Sequence, residues 1–189
     1  MNELIYKLNL PPLDQVLNPK FDLYNLVPVN FTGSKILYYH PREIVKEEWC
    51  NFLGYEWDYV SFFIRSGQQK SIIHRDNPFT PNDLHWGINW TFGARSLMEY
   101  WRPEDIQEEK IIKDSGNKET VLISTSSLPF KTYELDPGAY LINASIPHRA
   151  INLDNSLRFV VSLRSKQLRR TGEFKTWDDV VEKFKTVFE

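Results

Sequence analysis

The sequence predicts a mainly β fold, a double-sheet jelly roll with a few flanking helices. About eight short segments rich in aromatic and β-branched residues alternate with turn residues, the pattern of a closed or sandwiched all-β fold. The chain has 189 residues, of which 41% are hydrophobic and 14% aromatic, enough for one domain with a substantial core. A barrel of this size can hold a metal ion and a small molecule in its mouth.

Charge and cysteine content exclude some functions and favour one compartment. The net charge of −2 argues against nucleic-acid binding driven by phosphate neutralisation. Cys50 is the only cysteine, so no intrachain disulfide can form and a reducing compartment is expected. The start of the chain does not resemble a signal peptide, and no apolar run approaches the length of a membrane span. A cytoplasmic protein is therefore predicted, with its oligomeric state left open.

The N-terminal part, residues 1–58, is predicted to form an arm and one helix. The first forty residues are rich in Pro and Asn, which predicts an extended arm with a strand or two, such as Ile36–Tyr39. A helix is predicted from Pro41 to about Leu53. Proline suits its first turn, Glu43 complements the N-terminal dipole, and Gly54 can end it.

The middle part, residues 59–165, is predicted to form the jelly-roll core. Within it, Pro103–Lys118 is polar and highly charged, which indicates a surface insertion or mobile loop. Asp136-Pro137-Gly138 indicates a turn. The predicted strands are Tyr59–Arg65, Ser71–Asp76, Leu84–Phe92, Ser96–Trp101, Thr120–Ser124, Lys131–Leu135, Ala139–Asn143, His148–Leu153 and Arg158–Arg164.

The last part, residues 166–189, is predicted to carry a short amphipathic helix near Trp177–Phe188. Thr176 is placed to cap this helix, with Asp179 three residues later. The three parts together are predicted to form a single domain, residues 1–189.

Separated residues of the core form a pattern typical of a metal site. His74 and Asp76 are separated by one residue, so on a strand both side chains point to the same face. A second imidazole from His148 would complete two nitrogens and one carboxylate, the set found in non-haem Fe(II) oxygenases. Arg158 would supply a fixed cation for a carboxylate. The His-x-Asp triplet alone is weak evidence, since such triplets arise by chance.

With these residues in place, the chain resembles the 2-oxoglutarate and Fe(II)-dependent oxygenases, over roughly residues 59 to 165. That family has a double-stranded β-helix with His-x-Asp, a distal His and, about ten residues later, an Arg or Lys. His85–Trp101 (HWGINWTFGARSLMEYW) and Pro137–Arg164 (PGAYLINASIPHRAINLDNSLRFVVSLR) are similar to strand segments of small phage and bacterial members.

The resemblance implies a catalytic metal centre and a co-substrate. His74, Asp76 and His148 would bind Fe(II), and 2-oxoglutarate and O2 would take the remaining positions. Arg158 would form a fork with the far carboxylate of 2-oxoglutarate. Oxidative decarboxylation to succinate and CO2 would then be coupled to hydroxylation of a substrate. The sequence does not name this substrate, which is expected to be a small molecule or a peptide.

Further polar residues are candidates for binding the co-substrate. By the resemblance, Asn89 and Tyr100 would hydrogen-bond a 2-oxoglutarate carboxylate, and Ser162 shares strand parity with Arg158. Many family members carry Ser or Thr two residues after the arginine, whereas this chain has Val160. Ser162 or Tyr100 would replace that group, and Arg164 is the alternative to Arg158 as the anchor.

The residues leave other functions open. A cupin-like metalloenzyme without 2-oxoglutarate would use the same fold, although cupins usually supply several histidines and a Glu, and this chain has four histidines in all. A jelly-roll binding module without chemistry is the third reading. His85 is the main competitor as a metal ligand, and it is ranked below His148 because it lies on the next strand along.

Overall fold

The computed structural model describes residues 3–21, 34–39, 41–52, 57–76, 84–112, 118–165, 174 and 176–188. Its strands are β1 (Ile5–Leu8), β2 (Ser34–Tyr39), β3 (Trp57–Arg65), β4 (Trp86–Gly93), β5 (Ser96–Tyr100), β6 (Ile106–Ile112), β7 (Lys118–Ser124), β8 (Lys131–Leu135), β9 (Gly138–Asn143), β10 (His148–Asn152) and β11 (Arg158–Ser165). Its α-helices are α1 (Leu13–Val16), α2 (Pro41–Ile44), α3 (Glu47–Phe52) and α4 (Trp177–Phe184). Short 3₁₀ helices cover Pro103–Asp105 and Lys185–Val187.

The larger sheet has six strands in the order β1-β9-β4-β11-β3-β2. Its neighbours pair antiparallel, with β11 in the middle between β4 and β3. The N-terminal strands β1 and β2 form its two edges, so residues before position 59 also contribute to this sheet.

The smaller sheet has the order β10-β5-β8, and β6 and β7 form a separate antiparallel hairpin. Isolated bridges from Ile73 to Leu122 and from His74 to His148 connect the hairpin and β10 through the segment that contains His74. The two facing antiparallel sheets form the predicted jelly roll, a double-stranded β-helix.

Alternation along the strands gives the larger sheet two different faces. On β11, the residues Phe159, Val161 and Leu163 belong to the core cluster that also contains residues of α1 and α4. The intervening residues, including Arg158 and Ser162, point to the opposite face, because successive side chains of a strand alternate. A second cluster joins the inner faces of the two sheets, with Ile5, Met98, Tyr100, Leu135, Tyr140 and Ile142 among its members.

A glycine allows the chain to cross from the larger to the smaller sheet. Gly93 ends β4 with a φ of 87°, in the region that L side chains rarely adopt. A Cβ at this position would lie 2.2 Å from the Leu157 carbonyl oxygen. Only glycine therefore lets β4 end against the loop that leads into β11.

Most predicted strands are confirmed to within a few residues. Lys131–Leu135 is observed with the predicted bounds, and Ile36–Tyr39 lies within β2. The predicted strands that begin at Tyr59, Leu84, Ser96, Thr120, Ala139, His148 and Arg158 correspond to β3, β4, β5, β7, β9, β10 and β11.

The predicted helix from Pro41 to about Leu53 is wrong as a single element. The structure has two helices, α2 and α3, with Val45 between them in a β-bridge to Leu17. The Lys46 backbone N–H donates to the Val16 carbonyl at 3.0 Å, so the chain pairs with the C-terminal end of α1 instead of continuing the helix. Leu53 itself lies outside the described residues.

The predicted strand Ser71–Asp76 is also wrong as a continuous strand. This segment forms isolated bridges, and Asp76 lies in a bend whose backbone N–H donates to the Ala144 carbonyl at 3.1 Å. Lys70 bridges Ile151 and His74 bridges His148, so this segment advances four residues while β10 advances three, and the change of register prevents a regular ladder.

The segment Pro103–Lys118 is a strand of a hairpin where a surface insertion or mobile loop was predicted. After a 3₁₀ turn, β6 pairs in register with β7 from Ile106 opposite Ser124 to Ile112 opposite Lys118. High charge does not prevent strand pairing, because a hairpin can expose polar side chains while its backbone groups pair. Residues 113–117 of this prediction lie outside the described part.

The C-terminal helix is confirmed, with α4 followed by a 3₁₀ turn. Thr176 and Asp179 form the capping box: the Thr176 hydroxyl accepts from the Asp179 backbone, and the Asp179 carboxylate accepts from the Thr176 backbone. Val180 and Phe184 bury the inner face of α4 against the larger sheet. Among the described helices, none is long and apolar enough to cross a membrane.

Candidate metal and anion site

The site begins with two histidines that face each other across a β-bridge. His74 and His148 exchange both backbone hydrogen bonds, each N–H donating to the other residue's carbonyl at 2.9 Å. Their ring centroids are 4.5 Å apart. This short antiparallel pairing connects the segment after β3 to β10, and it brings two imidazoles from distant parts of the sequence together.

Both imidazoles are oriented by the backbone. Nδ1 of His74 lies 3.0 Å from the Ile72 carbonyl oxygen, and Nδ1 of His148 lies 2.8 Å from that of Ile146. A carbonyl oxygen only accepts, so these contacts assign the proton to Nδ1 in each ring. In the neutral ring Nε2 then carries the lone pair, which is the arrangement of a metal-ligating histidine supported by its other ring nitrogen.

Asp76 adds a carboxylate to the two imidazoles. Its Oδ1 lies 3.8 Å from Nε2 of His74. One donor atom from each of His74, Asp76 and His148 can be chosen so that all lie within 4.8 Å of one another. His148 is 5% exposed, while the side chains of His74 and Asp76 are 38% and 24% exposed, so the group opens to solvent on one side. Two nitrogens and one carboxylate in this geometry can hold a metal ion.

His85 is not part of this donor group. Its backbone N–H donates to the Ser145 hydroxyl at 2.6 Å, and its carbonyl accepts from the Ala144 backbone at 2.8 Å. Among the described residues, the cluster of possible metal ligands contains His148 and not His85.

Three further predicted residues each have a cross-strand partner within the site. Tyr100 is the cross-strand partner of His148, with ring centroids 5.6 Å apart, and its hydroxyl donates to the Asn143 carbonyl at 3.2 Å. Asn89 and Ser162 are also direct cross-strand partners, and the Ser162 hydroxyl donates to Oδ1 of Asn89 at 2.5 Å. The Asn89 amide nitrogen, which only donates, is the remaining polar group of the second pair.

Arg158 lies on the same face of β11 as Ser162 and is 5% exposed. Its Nε is buried without a hydrogen-bond partner among the described residues. Burial, and to a smaller extent the charge of Arg65, lower the pKa of Arg158 to about 9. A buried cation in this state favours a bound anion, because an anion would replace the lost hydration. The side chain of the alternative anchor, Arg164, lies outside the described part.

Arg65 is a residue of this site to which the sequence prediction gave no binding role. It is the cross-strand partner of Arg158 and is only partly exposed. The sequence places Arg65 at the end of the predicted strand Tyr59–Arg65. This position alone does not predict that β3 pairs with β11.

Comparisons with known proteins give similarity at the level of solved structures alone. A scan against protein-family models and a search of curated proteins each return no match. Among solved structures, Escherichia coli YcfD matches with a TM-score of 0.46 and 14% identity over 82% of this chain and 41% of YcfD. YcfD is described as a ribosomal oxygenase. This chain therefore corresponds to less than half of YcfD.

Other solved structures match at similar levels. Peruvianin-I, a cysteine peptidase from Thevetia peruviana latex, has a TM-score of 0.42 and 12% identity over 78% of this chain and 77% of its own. A cupin domain from Bordetella pertussis has a TM-score of 0.38 and 13% identity over 74% of this chain and 99% of its own. Because these TM-scores are low, the fold stated above rests on the strand order and register of this chain.

Proposed function

We propose that this protein is a non-haem Fe(II) oxygenase that couples oxidative decarboxylation of 2-oxoglutarate to hydroxylation of a substrate. The observation that carries the proposal is a donor group of two histidines and one aspartate in the same barrel as a buried arginine whose Nε has no partner among the described residues. The first feature suits a divalent metal, and the second suits a carboxylate.

The donor set fits Fe(II). His74 and His148 would each present Nε2, since their Nδ1 atoms contact backbone carbonyls, and Asp76 would present a carboxylate oxygen. When bound, the metal would supply the site at which O2 and the co-substrate react. Three protein ligands leave room for exogenous ligands, in contrast with a closed structural site.

The rest of the site suits a dicarboxylate co-substrate. Arg158 would bind the far carboxylate, because a guanidinium forms paired hydrogen bonds with a carboxylate and its burial makes an anion favourable. Asn89 would offer its amide N–H groups, while Ser162 holds Oδ1 of Asn89 and so orients that amide. Tyr100 packs against His148 and would keep this imidazole in position.

An anaerobic binding experiment tests the proposal. Protein with Fe(II) and 2-oxoglutarate should show a weak visible charge-transfer band, and the band should be lost in His74→Ala. His85→Ala is the matched control, because it removes an imidazole that lies outside the donor group, and it should keep the band. In air, slow succinate formation without substrate should depend on Asp76 and His148.

The same experiment separates the competing functions. Well-folded wild-type protein with neither the band nor succinate formation would contradict the proposal. A metalloenzyme that does not use 2-oxoglutarate would bind Fe(II) through His74, Asp76 and His148 and give no band when 2-oxoglutarate is added. A binding module without a metal would bind neither.

A further inference from the structure

Two arginines lie opposite each other on the inner wall of the barrel. Arg65 on β3 and Arg158 on β11 are direct cross-strand partners. Direct partners in an antiparallel pair have Cβ atoms about 4.5–5.5 Å apart on the same face of the sheet. Both arginine side chains therefore leave the larger sheet at adjacent positions, on the face turned toward the smaller sheet.

This arrangement is unfavourable without an anion. Burial lowers the pKa of Arg65, and burial together with the charge of Arg65 lowers that of Arg158. Like charges directly opposite each other in a sheet repel, and the repulsion is stronger where water is excluded. Among the described residues, the ion pairs involve other side chains, and neither arginine contacts a carboxylate.

Arg65 reaches across to the smaller sheet beside the metal ligands. Its Nη1 donates to the carbonyl of Ala150 at 3.0 Å, and Ala150 lies two residues after His148 on β10. A guanidinium carries several more N–H donors in the same plane. This one hydrogen bond therefore positions the group while leaving donors for a ligand.

Apart from the Asn89 amide N–H groups, the neutral side chains around the arginine pair have little left to offer an anion. Val160, next on the inner face of β11, has no hydrogen-bonding side chain. The Ser162 hydroxyl donates to Asn89, and the Thr91 hydroxyl donates to the Asp136 carbonyl at 3.0 Å. The N–H groups of the two arginines are thus the main donors on this part of the wall.

We propose that Arg65 is a second binding residue for the distal carboxylate of the co-substrate, so that two guanidinium groups hold this carboxylate between β3 and β11. The inference rests on the proposed function and adds a specificity-determining residue to it. Bridging by one carboxylate removes the repulsion between the arginines, and the pair selects 2-oxo acids with a distal carboxylate over those without one.

The test compares two co-substrates in two variants. Affinities for 2-oxoglutarate and for 2-oxopentanoate, which lacks the distal carboxylate, are measured by anaerobic titration of the Fe(II)-loaded protein. Arg65→Gln should lower the affinity for 2-oxoglutarate about tenfold to a hundredfold and leave the affinity for 2-oxopentanoate unchanged. Arg65→Lys should give a smaller loss, because it keeps the charge and loses the fork. This second variant also gives the answer if Arg65→Gln does not fold.

Arg95→Gln is the matched control, since Arg95 is exposed and pairs with Asp154 at 3.3 Å; it should bind both co-substrates like the wild type. Unchanged 2-oxoglutarate affinity in the Arg65 variants, with a normal wild-type band, would overturn this inference and leave the proposed function standing. Equal losses for both co-substrates would also overturn it, since they indicate a purely structural role for the bond to Ala150. A wild type with no band would overturn the proposed function together with this inference.

Discussion

At the scale of single residues, Arg158 shows how a binding group differs from a stabilising one. Its guanidinium is almost fully buried, and its Nε has no partner within the described ranges. Such a group costs folding free energy, because the water it loses is not replaced. Its presence is consistent with selection for binding an anion, which stability alone would not favour.

Replacing this arginine should therefore stabilise the ligand-free protein. Arg158→Met keeps much of the side-chain volume and removes the buried charge, so we expect the free energy of unfolding to rise by about 1–4 kcal/mol. The same variant should lose tight 2-oxoglutarate binding while retaining Fe(II). Urea unfolding of the apoprotein measures the first effect and the anaerobic titration the second. A less stable apoprotein would mean that the charge of Arg158 is already compensated.

Residue chemistry was the part of the site that could be predicted best. His74, Asp76 and His148 are candidates from their types and spacing, and the structure brings them together. Their role as ligands stays a prediction. The contacts of Nδ1 with the Ile72 and Ile146 carbonyls could not be predicted, because they depend on rotamers chosen by the folded environment.

At the scale of elements, α4 forms where its local sequence pattern predicts a helix. Its capping box involves residues three apart in sequence, so the relevant contacts form within one turn. The helix buries Val180 and Phe184 on the face of the larger sheet that is turned away from the site. It supports the sheet that carries Arg158 without contributing to the proposed chemistry.

Loss of the cap should destabilise the fold and leave the site intact. Thr176→Ala removes the hydroxyl that accepts from the Asp179 backbone, and the expected loss is about 0.5–2 kcal/mol of unfolding free energy. Thr176→Ser keeps the hydroxyl and should stay close to the wild type. Chemical denaturation compares the two variants. Equal stability of Thr176→Ala and Thr176→Ser would show that the helix is held by packing alone.

The predictions of other elements were wrong because of pairing with distant parts of the chain. The predicted helix after Pro41 divides because Val45 pairs with Leu17, and the charged segment after Pro103 becomes β6 because β7 is available as a partner. In both cases a backbone partner from elsewhere in the chain outweighs the local pattern. By contrast, the strand Lys131–Leu135 could be predicted from its own alternation and the turn that follows it, without knowledge of its partner strand.

At the scale of the whole molecule, the proposed metal would join two segments that lie far apart in the sequence. The segment around His74 is held to β10 by two isolated β-bridges, Lys70 with Ile151 and His74 with His148, and the Asp76 backbone N–H donates to the Ala144 carbonyl. A metal bound to His74, Asp76 and His148 would cross-link this segment to the smaller sheet. Ligands that bind only the folded state raise its stability by mass action.

Metal should therefore raise the melting temperature. Saturating Mn(II), a redox-stable substitute for Fe(II), should stabilise the protein by about 2.7 kcal/mol at a hundredfold excess over its dissociation constant. Chelation should reverse the shift, and His148→Ala should abolish it. Differential scanning fluorimetry with His85→Ala as the control measures the effect. An equally large rise in melting temperature in His148→Ala would show that the metal binds outside the proposed site.

Alternation, turns and caps are local properties of the chain, so they were enough to predict the fold class, most strands, the C-terminal helix and the residue types of the candidate site. The pairing of His74 with His148 and the position of Arg65 opposite Arg158 could not be predicted in this way. Strand order and register arise from backbone pairing and face-to-face packing between distant segments. A shift of one residue in that register would turn Arg65 to the other face.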